Sequence, residues 1–238
     1  MPLHVYLKEN TSKKRKVINY VSYITLGMGI LLLFWSFYPV LSFELYSRFI
    51  LKDGIKSPVR ESSQSVLGSS DAFSSNLKDF TQAHLWFPGK QVEGEKLTTG
   101  VQEYFITIPK LNITKARVVV GGDDLTKSLI HYLPRSMPGE FGNVAIFGHS
   151  TLPQLYNVKD YKTIFTFLPS LREGDTILIE IGDLEYEYKI YSMFVVSPDK
   201  VSILEQQYDA AYLTLVTCVP PGTFLNRLVI KAKLVKLP

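Results

Sequence analysis

Between residues 17 and 43 the chain carries no charged side chain, a run of 27 positions, where a bilayer-spanning helix needs about 20 apolar residues. Gly27, Gly29 and Pro39 are tolerated in such a helix, and Tyr20, Tyr23, Trp35 and Tyr38 suit the two lipid–water interfaces. The pattern predicts one transmembrane helix. A cleaved leader is the competing reading, but the apolar run is longer than a typical leader core and no Ala-x-Ala-like site follows it. We therefore expect an uncleaved anchor, with Lys13, Lys14, Arg15 and Lys16 holding the N-terminus in the cytoplasm and the rest of the chain outside.

The pattern changes twice more. Residues 44–100 are weakly apolar and crowded with serine (Ser62, Ser63, Ser65, Ser69, Ser70, Ser74, Ser75), so they bury too little surface to offset their ordering entropy and read as a stalk. Fully flexible, such a stalk would span on the order of 40 Å; a short helix over 71–84 would shorten it. Beyond residue 100, strand patterns at 104–108, 116–120, 143–147, 176–181, 185–196, 211–218 and 227–235 alternate with Gly- and Pro-marked turns. Short helices are expected at 127–132 and 161–168. Many short strands at close spacing predict an all-β sandwich or barrel with short helices. The expected organisation is a cytoplasmic basic tail (1–16), a transmembrane anchor (17–43), an extracellular stalk (44–100) and a β-domain (101–238).

Charge narrows the partners. The net charge of +4 is already complete before the apolar run, where five Lys/Arg face one Glu, leaving 21 charges of each sign in the remainder. The basic excess thus belongs to membrane topology, and no electropositive domain remains to follow a nucleic-acid backbone.

The candidate chemistry lies at strand ends. Residues 213–218 (LTLVTC) end in Cys218, the only cysteine, and Arg227 opens the next strand nine residues on. His149 closes a third apolar run, 143–148 (NVAIFG), so an imidazole and a thiol could meet at one edge of a β-structure. A lone strand-end cysteine is ordinarily an inert core residue. In an exported chain, however, an unpaired thiol points to an intermolecular bridge or a reactive group. Arg227 could instead lie on a solvated strand face with Val229, Lys231 and Lys233, and His149 could be a turn residue. His131 reads as a core residue. No HExxH or CxxC spacing points to zinc, and Asp183, Glu185 and Glu187 read as a wet strand face.

These segments resemble the sortase family. Residues 214–218 (TLVTC) with 226–230 (NRLVI) are similar to its cysteine and arginine signature, and 137–149 (MPGEFGNVAIFGH) to its histidine signature; 165–168 and 174–175 are similar to the stretch between. The resemblance implies a closed sortase β-barrel and a cysteine transpeptidase. Cys218 would attack a peptide carbonyl, His149 would move the proton and Arg227 would stabilise the oxyanion, with Thr217 helping to position substrate or oxyanion. The protonation order of Cys218 and His149 stays open. The implied substrate is an exported protein with a C-terminal LPxTG-like signal, recognised by 197–209 and 219–226, and the acceptor is a peptidoglycan-precursor or other amine. No cofactor is expected; calcium, used by some members of the family, stays open, but no acidic cluster points to it. The lack of a second apolar span after residue 235 argues against the pilus-polymerising type, and 84–88 (HLWFP) is only a loose candidate for an aromatic lid. Two rivals are an L,D-transpeptidase and a non-catalytic β-domain that binds a wall polymer. The catalytic reading requires sulfur, imidazole and guanidinium to meet in one groove.

Overall fold

The computed structural model describes residues 12–50, 52–53, 81–87 and 100–236. The first helix, α1 (Ser12–Ile50), runs for 39 residues, about 58 Å at 1.5 Å per residue. Its segment Arg15–Tyr38 is long and apolar enough to cross a bilayer and is unburied. Near its C-terminal end Phe43 turns buried and packs against the barrel core. The next strand, β1 (Lys52–Asp53), adds in parallel to Phe194 and Val195. Most of the expected stalk, and of the helix expected over 71–84, lies outside the described residues.

Eight strands close into a barrel: β2 (Glu103–Ile108), β3 (Ile113–Val120), β4 (Leu129–Tyr132), β5 (Gly142–Phe147), β6 (Thr176–Ile181), β7 (Leu184–Val196), β8 (Ala211–Val219) and β9 (Asn226–Lys236). Their order is β7-β6-β2-β3-β4-β5-β8-β9, and pairing of β9 with β7 closes the ring. Closure leaves none of these strands a free edge. Side chains alternate along each strand: Tyr104, Ile106 and Ile108 of β2, Val144 and Ile146 of β5, and Leu213 and Leu215 of β8 fill the interior.

Two strands depart from that alternation in a way that locates the site. Every residue of β5 is buried, as is almost all of β8, because their outer faces are covered as well. Ala145 and Phe147 of β5, Val216 and Cys218 of β8 and Val229 of β9 form a second apolar cluster outside the barrel with Trp86, Phe87, Ile203 and Leu204. The covering pieces are residues 81–87 and the 3-10 turn Val201–Leu204.

Two sequence expectations are corrected. Residues 127–132 are not a helix: Leu129–Tyr132 is a strand between β3 and β5. A short, continuous apolar run has no period that separates strand from buried helix. Residues 161–168 form successive turns instead of a helix, closed by bonds such as Thr163 N to Asp160 O (2.9 Å) and Thr166 N to Thr163 O (3.0 Å). There the Thr163 and Thr166 hydroxyls donate to nearby carbonyls, a local alternative to the helical ladder.

Candidate active site

β5 and β8 run parallel, with Ala145 opposite Thr214 and Phe147 opposite Val216. Two residues beyond that register stand His149 and Cys218. The extension is stitched by three bonds: Gly148 N donates to Val216 O (3.2 Å), the Thr217 hydroxyl to Gly148 O (2.8 Å) and the Ser150 hydroxyl to Cys218 O (2.6 Å). A side chain at position 148 would start 2.5 Å from Leu129 and Phe165, which reserves Gly148 for glycine. On the other side β9 runs antiparallel to β8 and places Arg227 directly opposite Cys218. Cross-strand neighbours share a face, so thiol and guanidinium lie on the same outer surface.

Trp86 joins the third group to them. Its ring lies 5.6 Å from the His149 ring and stacks on Phe147 at 5.4 Å. The Arg227 guanidinium carbon stands 5.4 Å from the Trp86 ring centroid and 6.0 Å from that of Phe87, within cation–π range. Arg227 Nε and Nη2 donate to the Trp86 carbonyl at 3.2 and 2.9 Å, while Nη1 donates to Phe224 O at 2.9 Å. Arg227 is therefore not on a solvated strand face. It is 1% exposed, and its charge is compensated by backbone carbonyls as a buried cation requires.

The structure does not bring Thr217 to this surface. Alternation along β8 turns it away from the Cys218 face, and its hydroxyl is spent on Gly148 O. His131 sits inside the barrel, fully buried beside Tyr104, far from this assembly in role.

Sulfur is sealed in this arrangement. Cys218 is 5% exposed, and burial pushes its thiol up to about 11, with Arg227 opposing. Burial pulls His149 down to about 4, and its Nε2 has no hydrogen-bond partner among the described residues. At neutral pH the covered thiol and the covered imidazole are thus both neutral, whereas the reactive form of a cysteine is the thiolate. A cavity of about 700 Å³ lies elsewhere, between α1 and the barrel, lined by Tyr38, Phe43, Phe167 and Pro221 among others.

The cover has its own attachment. Ala83 N donates to Asp123 O and Leu125 N to Thr81 O, at 2.9 and 3.0 Å. The Asp123 carboxylate accepts from His84 N at 2.9 Å and meets His84 Nδ1 at 2.7 Å. Sequence reading passed over this latch because its two halves lie 39 residues apart in a segment without strand pattern. The Trp86-Phe87 pair in an otherwise polar stretch was its one signal.

A closed β-barrel that sets a thiol, an imidazole and a guanidinium against one apolar cover defines a cysteine-bearing barrel of recognisable kind. The model of the sortase domain matches residues 106–235, and the chain belongs to the sortase family. It is 28% identical over 178 residues to Sortase SrtE1 of Streptomyces coelicolor, covering 68% of this chain and 47% of that protein. It is 32% identical over 94 residues to Sortase A of Bacillus anthracis, covering 40% and 41%. The matches thus span less than half the length of these relatives. Among solved structures, a lid mutant of Sortase A from Corynebacterium diphtheriae superposes with a TM-score of 0.50 at 26% identity, covering 58% of this chain and 72% of that one.

Proposed function

We propose that this protein is a membrane-anchored cysteine transpeptidase that cleaves an LPxTG-like sorting signal and transfers the exported protein to a cell-wall amine. The observation that carries the reading is the stitching of the β5 end that bears His149 to the β8 end that bears Cys218, with Arg227 opposite Cys218 in the β8–β9 register. The Cys218 thiolate adds to the peptide carbonyl carbon, and the oxyanion is held by the Arg227 guanidinium. Collapse breaks the C–N bond, His149 protonates the departing amine, and a thioester remains on Sγ. An incoming amine then attacks that thioester, gives its proton to His149 and expels the thiolate; water in its place gives hydrolysis. Thr217 acts as a positioning residue, through its bond to Gly148 O beside His149.

Residues 81–87 act as a lid that must leave before a peptide enters. The description of the Corynebacterium relative as a lid mutant supports this reading. α1 serves as the anchor, with the basic residues at its start in the cytoplasm and the barrel outside. A second reading, a wall-binding β-domain with an inert thiol, draws on the burial of Cys218. One experiment separates the two: the full chain in detergent is incubated with LPxT-like peptides and a small amine, and products are read by mass spectrometry. An acyl adduct on Cys218 that hydroxylamine removes is expected. Cys218→Ala should abolish turnover, and Arg227→Ala should lower kcat/KM about 10²- to 10³-fold while still giving a cooperative melt. Full turnover by Arg227→Ala refutes its role.

A further inference from the structure

The cavity of about 700 Å³ between α1 and the barrel lies at the height where lipid gives way to water. On the anchor reading of α1, the 24 residues Arg15–Tyr38 reach about 36 Å, enough to cross a hydrocarbon core of about 30 Å with some tilt. Tyr38 then stands at the boundary, where tyrosine is enriched. Phe43, little more than a turn further on, is already buried against the barrel core. The rise between them is about 7.5 Å, and the headgroup layer on each side of a bilayer is about 5–7 Å deep. Pairing of β1 with Phe194 and Val195 gives the chain a second hold just beyond the helix. The barrel is thus held down on the headgroups, and the cavity, lined by Tyr38 and Phe43, opens at their level.

Its lining suits an amphipathic guest. Phe43, Phe167, Pro153, Pro169 and Pro221 make the walls apolar. On the barrel side the hydroxyls are spent on backbone: Thr166 donates to Thr163 O at 2.6 Å and Ser170 to Phe167 O at 2.8 Å. Arg172, which is exposed, is the only charged residue among the described residues of the lining. Asp175, close to it in sequence, is engaged elsewhere, accepting from Arg172 N at 2.6 Å and from Lys110 Nζ at 2.8 Å. A guanidinium over an apolar cleft fits a phosphate that carries acyl chains, and the volume falls within the roughly 300–1,000 Å³ of small-molecule sites.

The cavity adjoins the candidate active site without containing it. Neither Cys218, His149 nor Arg227 lines it, but Pro221 lies in the turn after Cys218 and Pro153 in the turn after His149. These two turns touch: a side chain at Gly222, where φ is +82°, would start 2.8 Å from Leu152. We propose that the cavity binds one anionic phospholipid from the leaflet on the barrel's side, with its phosphate on Arg172 and the top of an acyl chain between Phe43 and Phe167. Bulk lipid is the amphipathic molecule present at this height in excess. The proposal rests on the anchor reading of α1 and not on the transpeptidase reading.

The test places the full chain in phosphatidylcholine vesicles that contain a minor fraction of phosphatidylglycerol. The probe is phosphatidylglycerol or phosphatidylcholine with a photoactivatable diazirine near the top of one acyl chain, and adducts are mapped by mass spectrometry. The phosphatidylglycerol probe should mark peptides covering 153–156 and 166–172 as well as 15–38. The phosphatidylcholine probe should mark the barrel peptides at least fivefold less and 15–38 equally. Arg172→Gln should lower the barrel adducts of the phosphatidylglycerol probe at least fivefold, and so should Gln154→Trp, which puts bulk at an exposed position of the lining; both should leave 15–38 unchanged. Adducts on 15–38 with none on the barrel overturn the lipid site while the anchor stands, the result also expected if another stretch of the chain fills the cavity. Equal barrel adducts from the two probes, or no effect of Arg172→Gln in a protein that melts as the parent does, overturn the choice of an anionic lipid. Absence of adducts on 15–38 in a protein that fails to float with the vesicles refutes the anchor reading and the lipid site together.

Discussion

Replacing Trp86 by alanine should unmask Cys218. The indole is fully buried between Phe147, His149 and Arg227, and truncating a buried Trp to Ala costs about 3–5 kcal/mol. Residues 81–87 make a single isolated bridge, Gln82 with Asp124, and no strand ladder, so this loss falls on local opening of the cover more than on the barrel. At 1.36 kcal/mol per decade, the open population rises by about 10² to nearly 10⁴ until it saturates. Chemistry adds to access. With the thiol at about 11 only about 0.03% is thiolate at pH 7.5, against about 10% for an ordinary cysteine near 8.5. Alkylation of the full chain by a small reagent, followed by mass spectrometry, should accelerate at least tenfold in Trp86→Ala. Its pH profile should move down toward the ordinary cysteine range. The melting temperature should change by only a few degrees. A labelling rate within twofold of the parent, in a variant that still melts cooperatively, would refute the covering role.

The latch should behave as a weaker form of the same perturbation. Asp123→Ala removes both side-chain bonds to His84 but leaves the indole in place, so labelling of Cys218 should rise about three- to tenfold, for about 1 kcal/mol of net hydrogen bonding. Stability should depend on pH through the buried histidines. His131 is held neutral, its value pulled to about 3 by burial, and His149 to about 4. The unfolded chain takes up these protons from about pH 6.5 downward while the folded one does not. Stability is therefore full above about pH 6.5 and falls as pH drops toward 4, by about 2 kcal/mol for His131 alone between pH 7 and 5. Neither ring nitrogen of His131 has a hydrogen-bond partner among the described residues, so His131→Phe should flatten that slope; chemical denaturation at pH 7 and 5 measures it, and an unchanged slope refutes the assignment.

The barrel was legible because alternation and turn chemistry agree along it. β6 begins and ends where the pattern places it, β2, β5, β7 and β8 differ by a residue at one end, and β9 by a residue at each end. β4 was not legible: its four residues, Leu129, Ile130, His131 and Tyr132, face a core on one side and the outer cluster on the other, which erases alternation. At the site, Cys218 and Arg227 could be paired from sequence because they flank one tight turn. The nearness of His149 depends on a parallel pairing of β5 with β8, whose register residues lie about 70 positions apart. The aromatic residues of 84–88 marked a loose lid candidate, but the attachment of that segment to Asp123 escaped because it joins segments distant in sequence through side chains that carry no periodic signal. Thr217 illustrates the converse, a residue beside Cys218 in sequence that strand alternation turns to the opposite face.

On the transpeptidase reading, Arg227 links opening of the cover to entry of the peptide. A buried guanidinium stripped of its acceptors costs several kcal/mol, and two of its donors are satisfied by the Trp86 carbonyl. The cover therefore leaves most readily when another backbone carbonyl takes that place, which an incoming peptide supplies. This exchange is measurable through Trp86, one of two tryptophans in the chain. In a Cys218→Ala, Trp35→Phe background, where emission comes from Trp86 alone, saturating LPxT-like peptide should shift emission to the red as the indole meets water. The same peptide should leave emission unchanged once Arg227→Met removes the competition for donors. A red shift of equal size in the Arg227→Met protein would show that the peptide displaces the cover by bulk alone and would refute the exchange.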